Sequence, residues 1–407
     1  MSPSGILPHA VDLFHNSGFT EPLRHGGVRF DSVIACLSTE RKHSALNGAE
    51  RLAERQFELT ENTMTKAAQQ KATIYDVAEL AGVSLKTVSR VINKEPNVRE
   101  TTKEKVRKAI ARLKYQPSPS ARGLAGSKSF LIGLLYSNPS SSYITEAQRG
   151  ALRSCGEEGF GLLIQPCDFQ SSSLIEDLLA QLKQARVDGV ILTPPLSDNA
   201  ELQQSLTREA IGYVCVAPLE TKQGVTSVSC DDEKAAAEIT EYLLAQGHTQ
   251  IAHILGHPDH SVSTLRYQGY ARAMQARGLE PLENHVCQGQ FDFQSGKQCA
   301  HQLLDFEQPP TAIFASSDDM ACGVLVAAHE RGIKIPQQLS VVGFDDSPLS
   351  CQTWPALSTA RQPISEMASI AATLLIKQLR KQPLESPEQL LSCDLILRDS
   401  AGPAPIS

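Results

Sequence analysis

Seven short apolar runs recur between residues 130 and 344, at Phe130 to Tyr136, Gly161 to Ile164, Val187 to Leu192, Tyr213 to Val216, Ile251 to Leu255, Ala312 to Ala315 and Ser340 to Phe344. Each has strand length, and helical patterns alternate with them. A strand that hands on to a helix and then to another strand builds a parallel sheet, so the alternation predicts parallel α/β architecture. A chain of 407 residues exceeds one ordinary domain, and its 41% hydrophobic content is enough to bury substantial cores, so two or three folding units are expected.

Charge divides the chain differently. The net charge of −7 argues against a polyanionic partner, but the average hides the layout. Residues 71 to 128 hold 13 Lys/Arg against 5 Asp/Glu, whereas residues 129 to 407 hold 18 against 32. One small basic module is therefore joined to a large acidic body, and phosphate neutralisation by Lys and Arg supplies much of DNA affinity. A charge run alone is more often a solvated face, so the pattern beneath it has to decide.

That pattern is three short helices. Thr73 followed by Asp76 is an N-terminal capping arrangement, and Ile74, Val77, Ala78 and Ala81 recur at helical spacing. Gly82-Val83-Ser84 interrupts the helix, since glycine permits a left-handed turn and Ser84 can cap a new helix. In that second helix Val88, Val91 and Ile92 form the inner stripe, leaving Lys86, Ser89, Arg90 and Asn93 on the opposite face. Lys and Arg can reach guanine O6 and N7, Asn can pair with adenine, and such a helix fits the B-DNA major groove. A third helix is expected to start at Thr101 with Glu104, burying Val106, Ala109, Ile110 and Leu113.

The stretch from Ile74 to Asn93, IYDVAELAGVSLKTVSRVIN, resembles the headpiece of the lactose-repressor (LacI/GalR) family almost position for position. The resemblance implies that Leu85, Lys86 and Arg90 read bases and that Thr87, Ser89 and Asn93 lie nearer phosphates, with Thr73, Tyr75 and Ser84 completing the DNA-facing set. Residues 118 to 126, SPSARGLAG, resemble the family's hinge helix, in which Leu124 would be the minor-groove wedge with Ala121 and Arg122 beside it. Isolated helices below roughly 12 residues are marginal in water, so the hinge is expected to order only on DNA.

The resemblance extends nearly to residue 398 and implies a two-lobed periplasmic-binding-protein-like body. In open parallel sheets ligands bind beyond the carboxyl ends of the strands, here the interlobe cleft. By resemblance Arg266 holds sugar hydroxyls, Asp318 accepts from a pair of them, and Phe291 stacks on the ligand ring. Many sugar-responsive relatives place Asp or Asn after the strand Tyr213 to Val216, where this chain has Ala217-Pro218. Tyr136, Ser137 and Asn138 are candidates to compensate. Asp345 and Asp346, in Gly343-Phe-Asp-Asp, are expected to organise their loop rather than touch ligand.

These features give a domain plan of 1–70 as an extension, 71–117 as helix-turn-helix domain, 118–128 as hinge, 129–398 as effector-binding and dimerisation domain, and 399–407 as a flexible tail. Met64-Thr-Lys-Ala-Ala looks like a natural N-terminus, so residues 1–63 are expected to be a gene-model artefact or a disordered extension. The tail lacks the apolar heptads that tether tetramers, so a homodimer is expected. No run approaches 18 apolar residues and no signal peptide precedes the body, which points to the cytoplasm. The ten cysteines carry no CxxC pair and read as solitary small hydrophobes in a reducing compartment.

No GxSxG, phosphate-binding glycine loop or metal set supports an enzyme, and His257, Asp259 and His260 lack a third ligand with fixed spacing. A transport sugar-binding protein would share the body but not the headpiece. No cofactor or metal is expected. The expected function is repression of carbohydrate-utilisation genes through operator double-stranded DNA, relieved by a small sugar, with corepression as the alternative sign.

Overall fold

The first helix starts where the chain supplies its own cap. In the computed structural model, which describes residues 72–92, 98–115, 128–220 and 224–405, Thr73 accepts a hydrogen bond from the Asp76 amide, and the Asp76 carboxylate accepts from the Thr73 amide. This reciprocal box opens α1 (Ile74–Ala81), and Gly82 closes it in the left-handed region at φ 64°, where a side chain would be strained. Helix α2 (Leu85–Ile92) follows at once. Helix α3 (Glu100–Leu113) departs from expectation, because Thr101 lies inside its first turn and Arg99 is the N-cap, without a side-chain cap bond. Val77, Ala78, Val88, Val106 and Ala109 are the buried centre of this three-helix unit.

The body is two six-stranded sheets. The first lobe contains β1 (Leu131–Tyr136), β2 (Gly161–Pro166), β3 (Gly189–Leu192), β4 (Gly212–Val216) and β5 (Ser227–Cys230). The second contains β6 (Ile251–Leu255), β7 (Val286–Gln288), β8 (Ala312–Ala315), β9 (Ser340–Asp345) and β10 (Ser358–Arg361). Two late strands complete them, β11 (Glu388–Leu391) beside β5 and β12 (Asp394–Ile396) beside β10. The orders are β11-β5-β4-β3-β1-β2 and β12-β10-β9-β8-β6-β7, parallel throughout except for the β10/β12 pair. All seven apolar runs are strands, and in six of them central residues such as Ile132, Leu134, Val190, Ile191, Ile313 and Val341 are fully buried, whereas the edge strand β2 has no buried residue.

The chain therefore crosses between lobes three times, after β5, after β10 and after β11. Two crossovers lead into helices clamped by backbone-to-backbone contact. Helix α4 (Ser141–Glu158) meets α11 (Ile364–Leu379) at Gly150, where a Cβ would fall 1.8 Å from the Ser365 carbonyl oxygen. Helix α7 (Asp232–Ala245) meets α8 (Ser261–Ala276) at Gly269, where a Cβ would fall 2.0 Å from the Glu233 carbonyl oxygen. Helices α5 (Leu174–Ala185) and α6 (Ala200–Arg208) cover the first sheet, and α9 (Phe293–Leu304) and α10 (Asp318–Glu330) cover the second.

Two expectations are corrected. The closing residues are no loose tail: Ser400 is fully buried and donates to the Val341 carbonyl, and the Ala404 amide donates to the Gln246 carbonyl. The cysteines are not all solitary, because Cys287 on β7 and Cys299 on α9 form a disulfide with Cα atoms 5.8 Å apart. The two positions are 12 residues apart in sequence, a spacing with no motif to announce it.

Candidate functional site

Two surfaces concentrate the candidate residues. On the helix-turn-helix, Val88 faces the core at 0% exposure, which turns the opposite side of α2 outward. Lys86 and Arg90 are exposed there, Leu85 is partly so at its start, and Thr87 and Ser89 are half-buried. Ser84 Oγ lies 2.9 Å from Thr87 Oγ1 and accepts from the Thr87 amide, so both hydroxyls help fix the start of the helix. Tyr75 is 67% exposed, too open to be a core residue. Asn93, Ala121, Arg122 and Leu124 lie outside the described residues. On α3 the cations are engaged differently: Lys103 and Arg107 pair with Glu100 at 3.0 and 3.1 Å.

The second surface is the cleft at the carboxyl ends of β1, β3, β4, β6, β8 and β9. Four side-chain bonds span it. The Ser140 hydroxyl donates to Asp319 Oδ2 (2.7 Å), the Ser261 hydroxyl donates to Asp198 Oδ2 (2.6 Å), His260 Nε2 reaches the Ser137 carbonyl (3.1 Å), and Gln170 donates to Asp259. Inside lies a tight pocket of about 20 Å³, room for little more than one water, and outside it a more open mouth of about 550 Å³. Asn138 lines both, whereas Tyr136 lines only the mouth. Arg266 and Phe291 line the inner cavity, and Phe291 packs down on Gly256, where a Cβ would sit 2.0 Å from the ring.

Ala217 also lines the inner pocket, so the position after β4 presents a methyl group there in place of a hydroxyl acceptor. Asp318 is placed elsewhere. It is 1% exposed, stands behind the lining, and accepts from the Thr359 hydroxyl and the Ser347 amide, both at 2.6 Å. The lining acid is Asp345, held at φ 110°, and this corrects the view that both carboxylates of the pair serve the loop. Asp346 does serve it, binding Arg361 at 2.7 Å and Arg398 at 2.6 Å. Ser317 and Gln362 also line the cavity, and Gln362 Oε1 is buried without a hydrogen-bond partner.

Arg266 is 3% exposed and its guanidinium is largely committed. Nε and Nη2 donate to Asp232 Oδ1 at 2.8 Å, Nη1 donates to the Ser316 carbonyl, and the group lies 3.7 Å over the Phe344 ring. Burial works against its charge, but Asp232 and Asp345 outweigh it and raise the pKa above the ordinary guanidinium value. Of five N–H groups two stay available to the cavity. Burial pushes the Asp345 carboxyl well above its usual range, against the pull of Arg266. His260 is driven down to about 4 by burial, so it is neutral at pH 7, and its one N–H must face the Ser137 carbonyl. The cavity thus combines a partly free donor fork, at least two acceptors and one aromatic wall. A polyhydroxyl molecule, each of whose groups both donates and accepts, matches that mixture chemically, and the pocket has room for one only when the lobes part.

Asp318 yields a pH prediction. Burial raises its pKa to about 7, above the unfolded value of about 3.9. A carboxyl raised in the folded state adds stability that is complete below pH ~4 and lost as pH rises through 7. Urea midpoints at pH 4.5 and 7.5 should therefore diverge less in Asp318→Asn than in the unsubstituted chain. Three pKa units correspond to about 4 kcal/mol as a ceiling. An unchanged pH slope in the variant would refute the assignment.

Among the described residues no helix is long and apolar enough to cross a membrane, and no group of three or more His, Cys, Asp or Glu is gathered to hold a metal. Comparison with known proteins returns two family models. Bacterial regulatory proteins of the lacI family match residues 73–118, and a periplasmic binding protein-like domain matches residues 240–401. The ribose operon repressor of Escherichia coli (strain K12) is 34% identical over 333 residues, 81% of this chain and 100% of the relative. Among solved structures, a complex of the transcriptional regulator CelR with cellobiose is 30% identical with a TM-score of 0.63, over 81% of this chain and 99% of that one. The Lac repressor dimer bound to operator and the anti-inducer ONPF is 28% identical with a TM-score of 0.63, over 82% of this chain and 100% of that one.

Proposed function

The chain belongs to the lacI family of bacterial regulatory proteins, and on that premise we propose that it represses carbohydrate-utilisation genes and is released by a small sugar held between its lobes. The observation that carries this reading is the outward face of α2, where Lys86 and Arg90 stand exposed behind a capped turn with Val88 locked beneath them. In it residues 71–117 bind DNA, 118–128 form the hinge and 129–398 bind effector and dimerise. Lys86, Arg90 and Leu85 face base edges, Thr73, Tyr75, Ser84, Thr87, Ser89 and Asn93 flank the backbone, and Leu124 enters the minor groove with Ala121 and Arg122 beside it.

The sugar is held by Arg266, Phe291, Asn138, Asp345, Ser317 and Gln362. Tyr136 guards the mouth, and Asp318 acts from behind by fixing Thr359 and Ser347. That a relative was captured with cellobiose supports a sugar, and that another was captured as a dimer on operator supports a homodimer reading two half-sites. The relatives are regulators, which supports a non-enzyme working in the cytoplasm. An effector that draws the lobes together changes the spacing of the hinges, and linkage requires that the operator complex bind that effector less well.

The test is anisotropy titration of the full chain against DNA from upstream of its own gene and against random DNA at fixed salt, with and without a panel of mono- and disaccharides. Preference for the upstream DNA, weakened by one sugar, is the expected result. Strengthening by a sugar would make it a corepressor, and equal affinity for both DNAs would overturn the reading.

A further inference from the structure

Between β7 and α9 the loop Gly289-Gln-Phe-Asp292 reaches into the cleft. Phe291 forms part of the inner wall, and Gln290 and Asp292 line the mouth. The two sides of this loop are the two positions that the Cys287–Cys299 bond joins. We propose that Cys287 and Cys299 form a redox-sensitive site whose disulfide fastens the Phe291 loop and whose dithiol form loosens it, so that thiol state tunes how firmly the cleft holds its effector. The last step rests on the effector reading above, and the first does not.

Three features make the loop responsive to such a link. Its N-terminal anchor is the edge strand of the second sheet, three residues long and paired on one side only, to β6. Phe291 holds φ 62°, a left-handed conformation that a bulky residue adopts only when its surroundings over-determine it. Those surroundings are tight: the ring is seated on Gly256 and edged by His260, and a Cβ at Gly289 would sit 2.4 Å from Met320 Sδ. Opening the covalent link removes one constraint from a segment that already stores backbone strain, and the strain gives it a direction in which to relax.

The sulfurs differ in access as a switch requires. Cys287 is half-buried on the sheet edge, whereas Cys299 is 3% exposed. A low-molecular-weight disulfide can therefore meet Cys287 first. The Cys287 thiolate attacks one of its sulfurs, breaking that S–S bond and releasing one small thiol in exchange for a mixed disulfide. Cys299, deprotonated, then attacks the Cys287 sulfur, forms the internal bond and releases the second small thiol. Two electrons pass from the protein pair to the small disulfide, two protons leave the pair and end on the two small thiols, and an excess of small thiol runs the sequence backwards.

The test uses the full chain equilibrated with oxidised glutathione or with dithiothreitol, then alkylated for peptide mass analysis, with amide hydrogen exchange followed in parallel and no effector added. The expected results are a linked Cys287–Cys299 peptide only under glutathione disulfide, and exchange of residues 289–298 about tenfold slower in that form. Cys287→Ser and Cys299→Ser should both exchange at the faster rate in either buffer. Absence of the linked peptide, or equal exchange in the two forms, would overturn the proposal. Since neither readout involves a ligand, a chain that shows the redox difference but whose operator binding answers to no sugar counts against the effector reading alone.

Discussion

Arg266→Met is expected to cost about 3–5 kcal/mol of unfolding free energy, because it strands a buried carboxylate. Asp232 is 2% exposed and takes two of the three guanidinium hydrogen bonds on a single oxygen, Oδ1. Its other oxygen accepts from the Cys230 thiol at 3.3 Å, a weak donor that cannot neutralise a charge. Methionine keeps much of the arginine's length and its apolar contact over the Phe344 ring, so loss of packing contributes little. The measurement is a urea titration of Arg266→Met beside the double variant Asp232→Leu/Arg266→Met. If the uncompensated charge is the cause, the double variant recovers much of the loss despite carrying one more substitution. Equal destabilisation of both would assign the effect to packing. The pair lies where α7 begins, directly after the first crossover, so its loss is also expected to loosen the cleft wall that Arg266 helps form.

The sequence displayed the strands that are apolar along their length and concealed those that are short and mixed, whether they lie at a sheet edge or, like β5 and β10, inside one. Strands such as Val190-Ile-Leu192 and Ala312-Ile-Phe-Ala315 are covered on both faces, so nearly every position must be apolar and the run stands out. Ser227-Val-Ser-Cys230, Val286-Cys-Gln288, Ser358-Thr-Ala-Arg361, Glu388-Gln-Leu-Leu391 and Asp394-Leu-Ile396 mix in polar residues, which hides strand signals that are only three or four residues long. Those unseen strands include the ones at the crossovers, so the residues gathered there were the hardest to place.

Asp345 and Asp346 are neighbours of one chemical type, and only the left-handed turn at both, φ 110° and 55°, sends one to the cavity and the other to Arg361 and Arg398. Asp318 was the acid that the family resemblance pointed to, but its oxygens are consumed by Thr359 and Ser347, residues 41 and 29 positions away. Gln362 gave no local signal at all, because an unpartnered Oε1 is a property of the closed cavity and not of a sequence window. The helix-turn-helix was legible for the opposite reason. Its cap, turn glycine and inner stripe all lie within 20 consecutive residues, and the periodicity is local.

That local legibility sharpens the second large effect, on DNA. Arg90→Ala is expected to weaken binding to the preferred upstream site by about 1–3 kcal/mol, a factor of roughly 5 to 150, while affinity for random DNA falls far less. Alanine has the highest helix propensity and Arg90 is exposed, so α2 and the Val88 packing beneath it are retained. Lys86→Ala, one turn earlier on the same face, should behave likewise if it meets a base edge. If it meets a phosphate, affinity drops nearly equally on all sequences and the salt slope shrinks by about one. Arg107→Ala provides the contrast, since that side chain points from α3 toward Glu100 and is expected to leave base preference unchanged. Titrating all three variants at several salt concentrations separates reading from steering. An Arg90→Ala chain that keeps full discrimination between upstream and random DNA would show that α2 does not read the operator.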